Sequence, residues 1–200
     1  MMEERWRGLC ARLAIEEGGQ WERFVSAYGP EERAYHNLRH VEDCLARFDE
    51  HLELVGDPVA VEFAIWFHDV VYDTKASDNE ERSGAAAMEF LGEADLGWRV
   101  AELILATKHA GEWGSGDAGV LCDIDLSILG RTPERYDEYA AAIRQEYGWV
   151  AEEDYVSGRA KVLKGLLARE RIFGTEAFWE RYELQARENM EEEMARLGGR

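Results

Sequence analysis

The chain has 200 residues, of which 46% are apolar and 11% aromatic. That is enough to bury one substantial core without staples, and too apolar for a disordered chain. The formal net charge is −19, so long-range repulsion argues against a nucleic-acid polymer as partner, and a small anionic substrate would need a local positive centre such as a metal ion.

Apolar residues recur at three- and four-residue spacing along nearly the whole chain, the signature of amphipathic helices. Trp6, Leu9 and Leu13 suit a first helix, and Trp21, Phe24, Val25 and Tyr28 a second. The stretch from Leu38 to Leu54 repeats the pattern with Val41, Leu45, Phe48 and Leu52. Residues 58–71 form a dense apolar helix expected in the core, with Asp57-Pro58 as cap and first position. Asp78-Asn79-Glu80-Glu81 reads as a capped acidic first turn leading into Ala85, Met88 and Leu91. The pattern continues over Val100 to Thr107, Val120 to Leu129, Tyr136 to Tyr147, Tyr155 to Leu167 and Phe178 to Met194. Thr132-Pro133 is a second cap-and-proline start. Alternating runs and Asn-Gly or Asp-Gly turns are missing, so the expectation is a single all-α domain over residues 1–200 with about nine or ten helices. Residues 1–19 are open to a reading as a peripheral N-terminal helix. The glycine-rich patch Gly111 to Gly116 is either a mobile loop or an ordinary connector.

Cys10, Cys44 and Cys122 are odd in number and far apart. They fit a reducing cytosol and read as small buried apolar residues. No basic region followed by an apolar stretch opens the chain, and no stretch is long enough to span a bilayer. A cytoplasmic protein without a membrane partner is expected; a helical surface rich in aromatics leaves a homodimer open.

Five histidines carry the chemical signal. His36 and His40 sit four apart, on one face if the helix already includes His36. His68 is followed by Asp69 at the end of the most apolar segment, where such a pair is costly to bury unpartnered. Asp123 and Asp125 lie in another apolar segment. Imidazoles with carboxylates suit a first-row divalent ion, Mn²⁺, Fe²⁺, Co²⁺, Ni²⁺ or Zn²⁺, better than Ca²⁺, and Mg²⁺ stays in the set for an oxygen-rich version. Positions left open to water would let the ion acidify that water and polarise a phosphoryl oxygen. His51, among Asp49, Glu50 and Glu53, reads as a surface residue, and the run Glu188 to Glu193 as a solvated helix face.

The order histidine, then His-Asp, then aspartate on helices resembles the HD superfamily of metal-dependent phosphohydrolases. The wording is closer still to one small bacterial branch of predicted HD-domain phosphohydrolases, through YHNLRH at 35–40, AIWFHDVVYD at 64–73, DNEERS at 78–83, ATKH at 106–109 and DIDLSILG at 123–130. The resemblance runs from about residue 20 to the C-terminus. It implies an HD-like helical bundle and metal ligation by His40, His68, Asp69 and Asp125. Asp125 is favoured over Asp123, which could instead orient a ligand histidine. The implied activity is hydrolysis of a small phosphomonoester or phosphodiester, with a nucleotide-like molecule among the candidates. A non-catalytic phosphate- or nucleotide-binding regulatory module is the alternative. YHNLRH is also similar to the helix start of cyclic-nucleotide phosphodiesterases, which makes His36 a candidate general acid. Asp69 or a nearby carboxylate would take the proton of the attacking water.

Further polar residues have two readings each. Lys108 could supply a point charge for phosphate or be a solvated helix-end lysine. Arg39 could clamp a phosphate or pair with Glu42 or Asp43. His109 could bind phosphate, bind a second metal, or make a core hydrogen bond. Asp73 and Glu80 could act on the attacking water or serve the helix start, and Tyr72 and Trp66, flanking His68-Asp69, are substrate-contact candidates.

Overall fold

The computed structural model describes residues 1–109 and 116–199. Among the described residues ten α-helices follow one another: α1 (Met2–Arg12), α2 (Gln20–Tyr28), α3 (Leu38–Glu50), α4 (Pro58–Phe67), α5 (Asn79–Leu91), α6 (Asp95–Ala106), α7 (Asp117–Leu126), α8 (Pro133–Glu146), α9 (Glu152–Leu167) and α10 (Glu176–Gly198). Short 3₁₀ turns lie at Leu52–Leu54 and Ser127–Gly130, and no strand occurs among the described residues. The all-α expectation holds. Of the glycine-rich patch, residues 111–115 lie outside the described residues; Gly116 precedes α7 at a φ of +67°.

Helix α4 is the axis of the molecule. It packs against α3, α5, α6 and α7, and every residue from Ala60 to Phe67 is buried. Apart from Glu62, which pairs with Arg5 and Arg12, the helix is apolar all round and has to sit inside. Its start is fixed by Asp57, whose side chain accepts from the Ala60 amide at 3.1 Å, and by Pro58 in the first turn. The helix stops at Phe67, four residues earlier than the apolar pattern predicts. His68 is its cap, and Val70 and Val71 belong to the following loop.

Helix α1 is part of the core. Trp6 is fully buried and meets Phe24 at 4.9 Å and Phe63 and Trp66 at 5.6 Å, ring centroid to centroid. Residues 1–19 therefore contribute to the body of the fold through α1. Trp66, flanking the His-Asp pair in sequence, is a member of this same cluster and touches no solvent, which removes it as a binding platform.

At the other end, α10 lies against the Ser127–Gly130 turn. A Cβ at Gly130 would come within 2.5 Å of the Tyr182 backbone oxygen, so only glycine lets the two segments approach this closely. The acidic run on α10 is not uniformly solvated: Glu188, Glu191 and Glu192 face water, but Glu193 is buried, chelated by Arg159 and bonded by Tyr136. His51 is also buried, against Phe178 at 4.3 Å, rather than on the surface. Both corrections have one cause: distant elements cover these positions, and local charge composition does not report that. No helix among the described residues is long and apolar enough to cross a membrane.

Candidate metal centre

The YHNLRH segment divides at Asn37. Its side chain caps α3 by accepting from the Arg39 amide at 2.9 Å. His40 is therefore inside the first turn of α3, while His36 precedes the helix. The two histidines do not share a helix face, as they would had the helix begun earlier.

His40 points inward and meets His68, the cap residue of α4, with their Nε2 atoms 3.0 Å apart. The His40 Nε2 atom lies 3.1 Å from Asp125 Oδ1 and 3.6 Å from Asp69 Oδ2. The His68 Nε2 atom lies 3.1 Å from Asp69 Oδ2 and 3.8 Å from Asp125 Oδ1. Four polar groups from α3, the end of α4 and α7 thus converge. Donor atoms about 2.1 Å from one shared divalent ion stand about 3.0–3.4 Å from each other, so this spacing suits a common ligand shell. His40, Cys44, His68 and Asp125 form a group that could hold a metal ion, with one donor atom from each within 4.8 Å of every other. Asp69 completes the set from the side of the second histidine.

Three of these residues, His68, Asp125 and Asp69, are held from behind. The Nδ1 atom of His68 is 2.9 Å from the Ile65 carbonyl and donates to it, which directs Nε2 into the cluster. Asp125 turns its other oxygen to His109 Nε2 at 2.9 Å. That contact ties His109, whose backbone φ is +52°, to α7. Arg33 donates to the carbonyls of Asp69 at 2.6 Å and Val70 at 3.2 Å, pinning the chain just after the His-Asp pair.

The charges are strongly coupled. Burial works against ionising His68, but Asp69 and Asp125 outweigh it and lift the imidazole to about 9. Burial likewise opposes the charge on Asp69 and Asp125. The surrounding imidazoles prevail, holding both carboxyls well below the usual range. Two ionised carboxylates in this space need positive charge, from protons on the imidazoles or from a cation.

Asp123 has a different task. It is fully buried and accepts from the Gly174 and Thr175 amides and the Thr175 hydroxyl, each at 2.7 Å. It anchors the loop before α10 and orients no ligand histidine.

His36 stands at the rim. Its Nδ1 is 2.7 Å from Glu146 Oε2, its ring stacks on Tyr72 at 4.1 Å, and it lies 5.9 Å from the His40 ring. Glu146 also accepts from the Tyr35 and His36 amides, at 2.8 and 2.9 Å, and from the Tyr72 hydroxyl at 3.0 Å. Burial disfavours the charged form of His36, but Asp69 and Glu146 together raise its pKa. Sequence reading missed Glu146, which lies 110 residues from His36, and Cys44, read only as a core residue. The second had a visible signal: it follows His40 by one helical turn.

Other predicted residues sit outside the cluster. Lys108 is engaged by Glu81 and the Ser77 carbonyl. Arg39 is exposed on α3; Asp43, its suggested partner, pairs with Arg135 at 2.8 Å. Glu80 lies in the first turn of α5. Asp73 shapes its own loop, its backbone exchanging hydrogen bonds with the Asn79 side chain.

In comparisons with known proteins, no protein-family model, no curated protein and no solved structure matches the chain.

Proposed function

We propose that the chain is a metal-dependent phosphohydrolase of the HD type, acting on a small phosphomonoester or phosphodiester. The observation that carries the reading is the convergence of His40, His68, Asp69 and Asp125 from three separate segments. These four would hold the ion, and the chemistry is consistent: two neutral imidazoles and two carboxylates neutralise a divalent charge. A divalent cation there would supply a Lewis acid for a phosphoryl oxygen and a means of acidifying water.

The chain's own groups supply the rest. Asp69 stays ionised beside His68 and would orient an attacking water through a hydrogen bond. His36 has Nδ1 engaged by Glu146, so Nε2 is the nitrogen left to give a proton to the leaving oxygen. Tyr72, stacked on His36, would close that side against the substrate.

The test is purified protein stripped of metal, reloaded with Mn²⁺, Co²⁺, Ni²⁺ or Mg²⁺, and assayed on a panel of phosphate esters beside Asp69→Ala. Turnover that falls at least about 100-fold in the variant is expected. Wild type no faster than Asp69→Ala with every ion and ester would overturn the reading. Thermal stabilisation by a nucleotide with no product formed would point to the non-catalytic binding module.

A further inference from the structure

Helix α3 presents a second potential donor beside His40. Cys44 lies one turn on, so both side chains leave the same face. The Cys44 Sγ atom is 3.7 Å from His40 Nε2 and 3.8 Å from Nδ1. Sγ thus lies over the side of the ring and reaches an ion held at Nε2 by turning about its own Cα–Cβ bond; one donor atom of each of His40, Cys44, His68 and Asp125 already lies within 4.8 Å of every other. The other two thiols have no such setting: Cys122 donates to the Ala106 carbonyl at 3.2 Å, and Cys10 is buried in α1.

A second observation concerns the space beside this sulfur. A cavity of about 20 Å³ opens there, with His40, Cys44 and Asp125 in its wall and Arg47, Arg131 and Arg135 around them. That is room for one water-sized particle. Neither His68 nor Asp69 borders it, so it is space beside the sulfur rather than the seat of the shared ion. Burial, Asp125 and Asp69 keep the free thiol protonated, with Arg47 opposing them, so the thiolate forms only against a bound ion.

We propose that Cys44 is the sulfur member of the ion's donor set, giving the site a preference for thiophilic divalent ions such as zinc, cobalt or ferrous iron over magnesium. This rests on the metal reading above and narrows it. Sulfur is a soft donor that magnesium and manganese do not favour and that zinc and cobalt accept readily. Ligation requires the thiolate, so the Sγ proton leaves to solvent as the ion binds.

Cobalt reports the sulfur directly. The full chain carrying Cys10→Ala and Cys122→Ala, so that Cys44 is its sole thiol, is stripped and titrated with Co²⁺. The same is done after adding Cys44→Ala. The single substitution Cys44→Ser in the native sequence serves as a second variant, and circular dichroism checks the helices of each. The expected result is an intense near-ultraviolet sulfur-to-cobalt band in the parent and in the native chain, absent from both Cys44 variants. The weaker visible bands of bound cobalt persist in all of them. Zinc affinity should fall at least about tenfold without the sulfur, and magnesium affinity should change much less. Bound cobalt with no sulfur band in the parent or native chain overturns the role of Cys44 and leaves the metal centre standing. No cobalt bound by any of them overturns both.

Discussion

His40 and His68 face each other with their Nε2 atoms 3.0 Å apart, and one oxygen of Asp125 and one of Asp69 flank this contact at 3.1 Å each. Opposed nitrogens at that distance cannot both point a proton at each other. Without a cation, protons must be distributed over the imidazoles to balance the carboxylates, and a cation has to displace at least one of them. Against burial, Asp69 and Asp125 hold the proton of His68 up to about 9.

Binding of magnesium, which leaves the Cys44 thiol protonated, should therefore release about one proton at neutral pH. The sign follows from the raised value. Below about 9 the His68 imidazole is charged and competes with the ion; above it the competition is gone. Affinity should rise about tenfold per pH unit from 6 toward 9, then level. Calorimetric titration at pH 7 in buffers of different ionisation heat measures the proton directly. A heat that does not depend on the buffer would show that His68 is already neutral or takes no part.

The two acids of the Asp-x-Asp pattern should separate in experiment. Asp123→Ala removes the acceptor of three hydrogen bonds that hold residues 174 and 175. A loss of about 2–3 kcal/mol in urea unfolding is expected, with ion binding retained. Asp125→Ala removes the carboxylate that, against burial, His109, His40 and His68 keep ionised, so ion binding should vanish and the metal-free unfolding midpoint should fall as well. The reverse pattern would mean that Asp123 faces the ion.

Glu146 should matter for chemistry although it lies outside the cluster. It fixes His36 through Nδ1 and holds the same residue by its amide. Glu146→Gln keeps the shape but loses the carboxylate charge that favours the imidazolium. For esters with poor leaving groups, kcat should fall about 10–100-fold, and for nitrophenyl esters, which leave without a proton, it should stay within about threefold. His36→Ala should show the same leaving-group dependence, and the double variant should be no slower than His36→Ala alone. Equal losses on both kinds of ester would assign Glu146 a purely structural role.

How much of this was legible in the sequence depends on the range of the interaction. Helices announce themselves locally, through apolar spacing and through Asp57-Pro58, so the ten-helix body was readable. His68, Asp69 and Asp125 stood out because polar groups in apolar segments need partners, His40 through its spacing from His36, and the four as one ligand set through the resemblance to HD phosphohydrolases. The partners themselves were not readable. Glu146 looks like any surface glutamate near the end of α8, and only the packed fold brings it to His36. His51 lies among acids in sequence yet rests on Phe178 from α10. Lys108 follows an apolar helix toward the site but is taken by Glu81. In each case the deciding neighbour comes from another element, and charge composition within a few residues carries no record of it.

The buried ion pair between α9 and α10 gives the sharpest stability test. Arg159 donates to both oxygens of Glu193, at 2.8 and 3.0 Å, and the Tyr136 hydroxyl adds a bond at 2.6 Å. Both charged side chains are about nine-tenths buried, at 8% exposure each. Arg159→Met strands the carboxylate without its counter-ion and should cost about 3–5 kcal/mol. Replacing both, Arg159→Met with Glu193→Leu, removes the stranded charge and should recover most of the loss, because the pair's attraction largely offsets its own desolvation. Burial pushes the Glu193 carboxyl up, but Arg159 prevails and lowers it from the ordinary 4.5. Its stabilisation is thus complete above that value and is lost as pH falls through the lowered one. The wild type should destabilise on acidification below 4.5 more steeply than the double variant. Denaturant midpoints at pH 7, 5 and 3.5 measure this, and parallel curves would show that the pair contributes nothing to acid sensitivity.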